Sequence, residues 1–178
     1  MIGKRVILRA PEPTDIDFLY AWENDRTVWH VSNTNAPYSR FAIEQYVMNA
    51  QQDIYSTRQL RFMIDITDPS EKTVTIGTID LFEFEPAHRR AGVGILISRE
   101  YRSQGYASEA LELLVDYAFH TLNLHQLFCH ILSTNIVSLN LFANHQFEII
   151  GLKKEWVLIG NEWEDEYILQ RINTHENQ

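Results

Sequence analysis

The stretch GVGILISREYRSQGYASEAL, residues 92–111, decides the fold. A near-continuous apolar run over residues 91–98 predicts a buried central strand, because a strand covered on both faces lacks polar alternation. From Gln104 to Leu122, apolar residues recur at spacings of three and four, which predicts a long amphipathic helix. A loop of the form Arg102-x-x-Gly105-x-Ala107 joins the two elements, so the stretch is a strand–turn–helix unit.

The loop in this unit has the chemistry of a phosphate site. The first backbone N–H groups of a helix have no intrahelical partner, and the helix dipole adds to their attraction for an anion. Gly105 and Ala107 keep side chains out of the way, and Arg102 can add a charge-assisted contact. The loop alone also fits an ordinary strand-to-helix turn. It has neither the glycine spacing of a Rossmann dinucleotide site nor the Gly-Lys-Ser/Thr ending of a Walker A loop.

Outside this unit, the remaining patterns predict further strands and helices. Strands are predicted over residues 5–9, 60–66, 74–84 (broken at Gly77), 126–132 and from 147, with a closing hairpin of residues 155–159 and 163–169. Helices are predicted over residues 14–23, from Ser39 to Ala50 and over 138–144, and turns over residues 33–37 and 68–72. The order indicates one α/β domain over residues 1–173, with a polar tail over residues 174–178.

Composition excludes several classes of function. The formal net charge of −9 argues against nucleic-acid binding; it would suit a cationic partner, but acidic charge also serves solubility. No window reaches the apolar length of a membrane span and residues 1–5 lack a signal-peptide stretch, so we expect a cytoplasmic protein without a membrane partner. Cys129 is the only cysteine and lies in an apolar run, which favours a buried structural thiol over a nucleophile.

Arg102-x-x-Gly105-x-Ala107 after an apolar strand resembles the acetyl-CoA-binding motif of the GNAT superfamily of N-acetyltransferases. Further segments resemble its ribosomal-protein-alanine and spermidine acetyltransferase branch, in the right order along the chain. They are Leu8-Arg9-Ala10 with Asp15, Ile76-Gly77-Thr78-Ile79, His88-Arg89-Arg90-Ala91, Asn123-Leu124-His125, Asn135-Ile136-x-Ser138-Leu139-x-Leu141-Phe142 and Gly160-Asn161-Glu162-Trp163-x-Asp165. The resemblance implies a single-domain α/β GNAT fold, with a central mixed twisted sheet of about seven strands flanked by about four helices. It also implies acetyl-CoA as co-substrate and no metal.

The resemblance assigns cofactor contacts to three places. The backbone of Ile95, Leu96 and Ile97, on a strand splayed from its neighbour, would pair with the pantetheine arm. Asn135 and the helix that carries Ser138 and Phe142 would line the other side of the arm. The pyrophosphate would be held by Arg102, Ser103, Gln104, Gly105, Tyr106, Ala107 and Ser108.

The implied reaction is direct attack of an amine on the thioester, with a backbone N–H of the splayed strand stabilising the oxyanion. A Lys-like amine, with a pKa of about 10.4, is mostly protonated at neutral pH and must lose a proton first. By resemblance the catalytic base is Glu83 first and Asp80 second, with Glu85 a weaker candidate. Each could equally be a solvated carboxylate at a strand edge.

Two positions depart from the family pattern. Many relatives have a proton-donating Tyr where this chain has Phe142, so water, Ser138 or His145 would have to protonate the leaving thiolate. His145 also fits an ordinary surface histidine. Gln146 stands where relatives usually have Gly, which predicts an altered turn rather than altered chemistry.

The acceptor stays open at this stage. A small polyamine-like amine and a protein N-terminus both fit, and a catalytically degenerate acetyl-CoA sensor is the alternative. Spermidine-type relatives carry a run of Glu in the early helix–loop region, where this chain has Asn33, Thr34, Asn35, Ala36 and Ser39. Five aromatic side chains, Trp22, Trp29, His30, Tyr38 and Phe41, could wall an acceptor pocket or belong to the core. A homodimer is the assembly common in the family.

Overall fold

The computed structural model describes residues 1–27, 29, 36–49, 53–67 and 72–174. Within them, seven strands form one sheet in the order β1-β2-β3-β4-β5-β7-β6. Only β4 and β5 pair in parallel; the other neighbours are antiparallel. The strands are β1 (Val6–Arg9), β2 (Leu60–Thr67), β3 (Thr73–Glu85), β4 (Arg90–Ile97), β5 (Gln126–Leu132), β6 (Glu148–Ile159) and β7 (Glu162–Ile172). The predicted mixed sheet of about seven strands is confirmed.

Five α-helices flank the sheet in the described part of the chain: α1 (Ile16–Glu23), α2 (Arg40–Met48), α3 (Ile54–Thr57), α4 (Tyr106–Asp116) and α5 (Ile136–Asn144). Ser39 caps α2 as predicted, because its hydroxyl accepts a hydrogen bond from the Ala42 N–H at 3.1 Å. The helix α4 continues as a π-helical turn over Tyr117–Thr121. The single turn α3 was not predicted, since four residues are too few to show a period.

The helices bury opposite faces of the sheet. Ala110, Leu111 and Leu114 of α4 lie in one large core cluster with strand residues such as Ile79 and Leu127. A smaller cluster joins α1 and α2 to β2, through Leu19, Ile43, Val47 and Met63. Among the described residues, no helix is both long and apolar enough to cross a membrane.

The motif of Leu8-Arg9-Ala10 with Asp15 has a structural role, which is carried by Arg9. Its guanidinium bridges the buried Asp15, with Nη1–Oδ2 at 2.6 Å, and the buried Asp65, with Nε–Oδ2 at 2.6 Å. Burial alone would raise the pKa of Asp15, but hydrogen bonds from Arg9 and from the Glu12 N–H hold this pKa below its usual value. The bridge ties β1 to the start of α1 and to β2.

Several element boundaries differ from the sequence prediction. The strand β3 runs unbroken through Gly77, where an added Cβ would lie 2.1 Å from the Leu96 carbonyl oxygen; the glycine lets the β3 and β4 backbones approach closely. The segment predicted from residue 147 and the one predicted over residues 155–159 form the single strand β6, whose pairing with β7 has two register shifts. The helix α4 begins at Tyr106 and α5 at Ile136, each two residues from its predicted start. Predictions for His30, 33–35, Ala50, 68–71 and 175–178 lie outside the described residues.

Candidate active site

The strands β4 and β5 open into a gap at the centre of the sheet. They pair only over Arg90–Gly92 and Gln126–Phe128. Beyond that, β4 stays paired with β3 as far as Ile97, and β5 stays paired with β7 as far as Leu132. Within the described ranges, the edge of β4 that carries Ile95, Leu96 and Ile97 therefore has no strand partner on the β5 side, which is the arrangement that the resemblance implied.

The loop at the end of β4 presents an open helix N-terminus. Ser103 and Gly105 both have left-handed backbone conformations, with φ of 60° and 85°. Gly105 is the N-cap of α4 and supplies no capping side chain. The first intrahelical bond runs from the Glu109 N–H to the Gly105 carbonyl at 3.2 Å, so the N–H groups of residues 106–108 are left for a ligand. Arg102 braces the loop by donating from Nε to the Ile97 carbonyl at 2.9 Å.

Arg5 lies against this loop, which the sequence analysis missed. Its Nη1 donates to the Gln104 carbonyl at 3.1 Å and its Nε to Glu109 at 3.2 Å. The guanidinium carbon also stands 5.0 Å from the centre of the Tyr106 ring. The contact joins residues about a hundred positions apart, so no local pattern signals it.

The helix α5 follows directly after β5, the strand on the far side of the gap. Asn135 caps this helix, since its Oδ1 accepts from the Ser138 N–H at 3.1 Å. Phe142 is only 3% exposed, and its ring packs edge-on against Phe147 with 5.0 Å between centroids. The structure thus places Phe142 in the core, although the resemblance suggested a wall of the pantetheine arm. Gln146 keeps the left-handed conformation expected of a Gly, with φ of 63°.

His145 is not the ordinary surface histidine considered above. It is half-buried, and its Nε2 lies 2.7 Å from the Ser108 hydroxyl, so it links α5 to the first turn of α4. Burial is the main cause that lowers the pKa of His145, and the positive charge of Arg171 lowers it further. The imidazole is therefore neutral near pH 7 and shares a hydrogen bond with one of the expected pyrophosphate residues.

A second feature, here called the sheet-face cleft, opens where the strands begin to part. It measures about 690 Å³ and is lined by Arg58, Glu83, Phe84, Glu85, Arg90, Gln126, Phe128, His130, Ile150, Ile168 and Gln170. Side chains alternate along β5, and Leu127 and Cys129 face the core with α4. Gln126, Phe128 and His130 therefore face the opposite side of the sheet. The gap begins beyond the Gly92–Phe128 pair, and Phe128 also lines the cleft, so the gap and the cleft adjoin at this pair.

Glu83 is the first-named base, and the structure places it at this cleft. It sits in the irregular part of β3 between the pairs of Phe82 and Glu85, with a left-handed φ of 47°. That conformation is uncommon for a non-glycine residue and often marks a functional position. Arg58 fixes this end of β3, because its carbonyl accepts from the Phe84 N–H at 3.0 Å. Glu83 is exposed and lies in the lining of the cleft.

Asp80, the second-named base, is held in an ion cluster instead. Arg61 donates to it from Nε at 2.6 Å and from Nη2 at 2.9 Å, so both carboxylate oxygens are engaged. The same guanidinium reaches Glu23 at 2.5 Å and lies 5.3 Å from the centre of the Tyr46 ring. Burial raises the pKa of Tyr46 to about 12. In this cluster, both oxygens of Asp80 are engaged by Arg61.

Arg61→Met is expected to lower the free energy of unfolding by about 3–5 kcal/mol. Met replaces the apolar stem of Arg61 but leaves the carboxylates of Asp80 and Glu23 without their cation. Urea unfolding followed by circular dichroism measures the change. Arg40→Met, which removes an exposed cation paired with Asp17, is the control and should change stability little. Equal losses for the two variants would contradict a structural role for the cluster.

The remaining candidates are Cys129, the aromatic side chains and possible metal ligands. Cys129 is 2% exposed, and burial raises the pKa of its thiol, so the predicted buried structural thiol is confirmed. Trp22 packs on the cluster of α1 and α2, whereas Tyr38 and Phe41 are 44% and 69% exposed. No group of three or more His, Cys, Asp or Glu residues within the described ranges is placed to hold a metal ion.

Sequence comparison supports the arrangement. The profile of the family described as Acetyltransferase (GNAT) domain matches residues 5–148. The chain is 27% identical over 175 residues to the spermidine N(1)-acetyltransferase of Vibrio cholerae serotype O1, covering 95% of each protein. It is also 26% identical over 114 residues to the ribosomal protein uS5-alanine N-acetyltransferase of Escherichia coli, covering 64% of this chain and 58% of that protein.

Solved structures agree with the sequence comparison. The spermidine N-acetyltransferase from Vibrio cholerae in complex with CoA and spermine matches with a TM-score of 0.82 at 26% identity, over 96% of both chains. A dodecameric structure of the spermidine N-acetyltransferase from the same organism matches with a TM-score of 0.77 at 26% identity. That match covers 96% of this chain and 95% of the other.

Proposed function

The chain belongs to the acetyltransferase (GNAT) domain family, and from this premise we propose that it transfers acetyl from acetyl-CoA to the primary amine of a small molecule. The observation that carries the proposal is the junction of the β4–β5 gap with the sheet-face cleft at Gly92 and Phe128. A thioester lying in the gap would meet there an amine that enters from the cleft. Transfer would then need no covalent intermediate on the protein.

The residues at the gap fit acetyl-CoA. The open N-terminus of α4 and the glycine N-cap at Gly105 suit a pyrophosphate, which needs close access to backbone N–H groups. The unpaired edge of Ile95–Ile97 suits the amide groups of a pantetheine arm, because it offers backbone donors and acceptors in a row. Acetyl-CoA supplies an activated acetyl group when it is bound, and the protein supplies position and proton transfer.

Glu83 accepts the proton of the acceptor amine in this proposal, directly or through one water. Its support is its place in the lining of the cleft, its exposed carboxylate and its uncommon left-handed backbone. Asp80 does not take this role, because Arg61 engages both of its oxygens. A backbone N–H of β4 beyond Gly92 donates to the thioester carbonyl oxygen.

No side chain has to protonate the leaving thiolate in this proposal. The ring of Phe142 carries no proton to give and lies in the core. A thiolate with a pKa near that of cysteine, about 8.5, is a tolerable leaving group near neutral pH, so water can protonate it.

An assay of thiol release tests the proposal. Acetyl-CoA is incubated with the protein and a panel of primary amines, and free CoA thiol is followed with a disulfide dye. The expected result is release that depends on both the amine and the protein. No release with any amine, despite tight CoA binding, would instead favour an acetyl-CoA sensor, and release that is independent of any amine would indicate thioester hydrolysis.

We also propose that the chain self-assembles. The hairpin of β6 and β7 exposes Trp156, Leu158 and Trp163, each more than half exposed, which is much apolar surface for one hairpin. The homodimer common in the family and the dodecamer of the V. cholerae relative are both compatible with this surface. Light scattering during size-exclusion chromatography should give a multiple of 20.9 kDa, and a mass of one chain would contradict self-assembly.

A further inference from the structure

We infer that the acceptor carries, besides its reacting amine, an anionic group that binds Arg90 in the sheet-face cleft. The inference rests on the proposed function and deepens it, because it names the chemical class of the amine. It stands on three features of the cleft: an unpaired arginine, a histidine that must act as a donor, and a single unneutralised carboxylate.

Among the residues that the structure describes, Arg90 is a cation without a partner. It opens β4, pairs across the strands with Gln126, and lies two residues before Gly92, where the gap and the cleft meet. Two residues of strand span about 7 Å, which is within reach of an extended arginine side chain. Within the described part of the chain, Arg90 makes no ion pair or side-chain hydrogen bond. An exposed guanidinium at that distance suits a carboxylate or phosphate on the acceptor.

Arg58 in the same cleft behaves differently. Its Nη1 donates to Glu85 at 3.2 Å and to the Phe84 carbonyl at 3.1 Å. Arg58 and Glu85 therefore neutralise each other, and Arg90 is left as the available positive charge of the cleft.

His130 adds a neutral donor. Lys153 places its ammonium 3.2 Å from Nδ1 of the imidazole and 2.7 Å from Oε2 of Glu166. An ammonium has only protons to offer, so Nδ1 must accept, and the ring proton is carried by Nε2. Burial is the main cause that lowers the pKa of His130, and the positive charge of Lys153 lowers it further. The negative charges of Glu166 and Glu83 raise this pKa but do not outweigh burial. The neutral ring offers an N–H to a ligand oxygen and cannot serve as the base through Nε2.

Glu83 completes the pattern. It is the carboxylate of the cleft for which the described residues provide no ion pair, so it suits the reacting ammonium. An amine that also bears an anion would satisfy Glu83, Arg90 and the Nε2–H of His130 together. A polyamine would bring a second cation towards Arg90, whose like charge would repel it, and would leave both donors without an acceptor on the ligand. The cleft therefore differs in charge from what a spermidine site requires.

Three amines of similar length measure the effect of the group at the end opposite to the reacting amine. They are 4-aminobutyrate, butylamine and 1,4-diaminobutane, which end in an anion, a methyl group and a cation. Initial rates of acetyl-CoA thiol release give kcat/KM for each. The expected order is 4-aminobutyrate first and 1,4-diaminobutane last, with about tenfold or more between 4-aminobutyrate and butylamine, as one charge-assisted hydrogen bond gives. An aminoalkyl phosphate of similar length distinguishes a phosphate from a carboxylate preference.

Arg90→Ala should reduce the ratio of kcat/KM for 4-aminobutyrate to that for butylamine by about tenfold. Arg90→Glu should reverse the preference in favour of 1,4-diaminobutane. Lys154→Ala removes an exposed cation outside the cleft and should leave the ratio as in the unmodified protein. Circular dichroism checks that each variant is folded.

Two results would overturn the inference. The first is a preference of the unmodified protein for 1,4-diaminobutane, and the second is a ratio that Arg90→Ala does not change. Either can occur while amines are acetylated, so both differ from failure of the proposed function, in which no amine in the panel stimulates thiol release.

Discussion

Gly105→Glu is expected to abolish acetyl-CoA binding in a protein that stays folded. The new carboxylate would stand at the N-terminus of α4, where the N–H groups of residues 106–108 await the pyrophosphate. An added Cβ would lie 3.1 Å from Nη2 of Arg5, so the carboxylate could pair with this guanidinium and close the site from within. The carboxylate would block these N–H groups and repel the negatively charged pyrophosphate. Calorimetric titration should therefore show acetyl-CoA affinity reduced by more than about a hundredfold.

A matched control separates the effect of the position from the effects of the backbone strain and the added charge. Gly160 is the other glycine with a left-handed conformation, with φ of 63°, and an added Cβ there would meet no atom within 4 Å. Gly105→Glu and Gly160→Glu should each cost about 1–2 kcal/mol of stability, because both place a side chain in the left-handed region. Only the first should lose acetyl-CoA. Equal affinities in the two variants would mean that the loop is an ordinary turn.

Glu83→Gln is expected to lower turnover by about a hundredfold or more at neutral pH, the usual effect of removing a general base. The amide keeps the shape of the carboxylate but cannot take a proton from the amine. Because Glu83 is exposed and lies on β3 away from the loop that begins α4, acetyl-CoA affinity and thermal stability should stay the same. Steady-state kinetics with a saturating amine, together with calorimetry, measure the two effects.

Two comparison variants locate the base. Glu85→Gln removes a carboxylate from the same cleft, but one that is paired with Arg58, and should slow turnover much less than Glu83→Gln. Asp80→Asn should chiefly destabilise the fold, since it weakens the ion cluster of Arg61. If Glu83→Gln turned over at the normal rate and Asp80→Asn did not, the base would have to be reassigned.

Elements with a strong local pattern were predicted well. The apolar run of β4, the helical spacing of α4 and the alternation of β5 are each visible within a short window, because one face or both are buried. The single turn α3 has no period to detect. The strand β6 was divided in the prediction because its register shifts around Gly151 and Lys153 interrupt the alternation.

The site was predictable only where its chemistry is local. The glycine N-cap at Gly105 follows from the loop itself. The choice between Glu83 and Asp80 does not, because it depends on Arg61 in a neighbouring strand. Arg5 and the partnership of His130 with Lys153 likewise join distant parts of the chain. The core position of Phe142 depends on its packing against Phe147 across a turn, which no sequence spacing reveals.

The most direct test of acetyl transfer uses acetyl-CoA with an isotopically labelled acetyl group. The protein is incubated with labelled acetyl-CoA and the amine panel, and small molecules and intact protein are analysed by mass spectrometry. Direct transfer predicts labelled acetyl on the amine, in proportion to the CoA released, and no label on the protein. Label found only in free acetate, or bound to the protein, would contradict it.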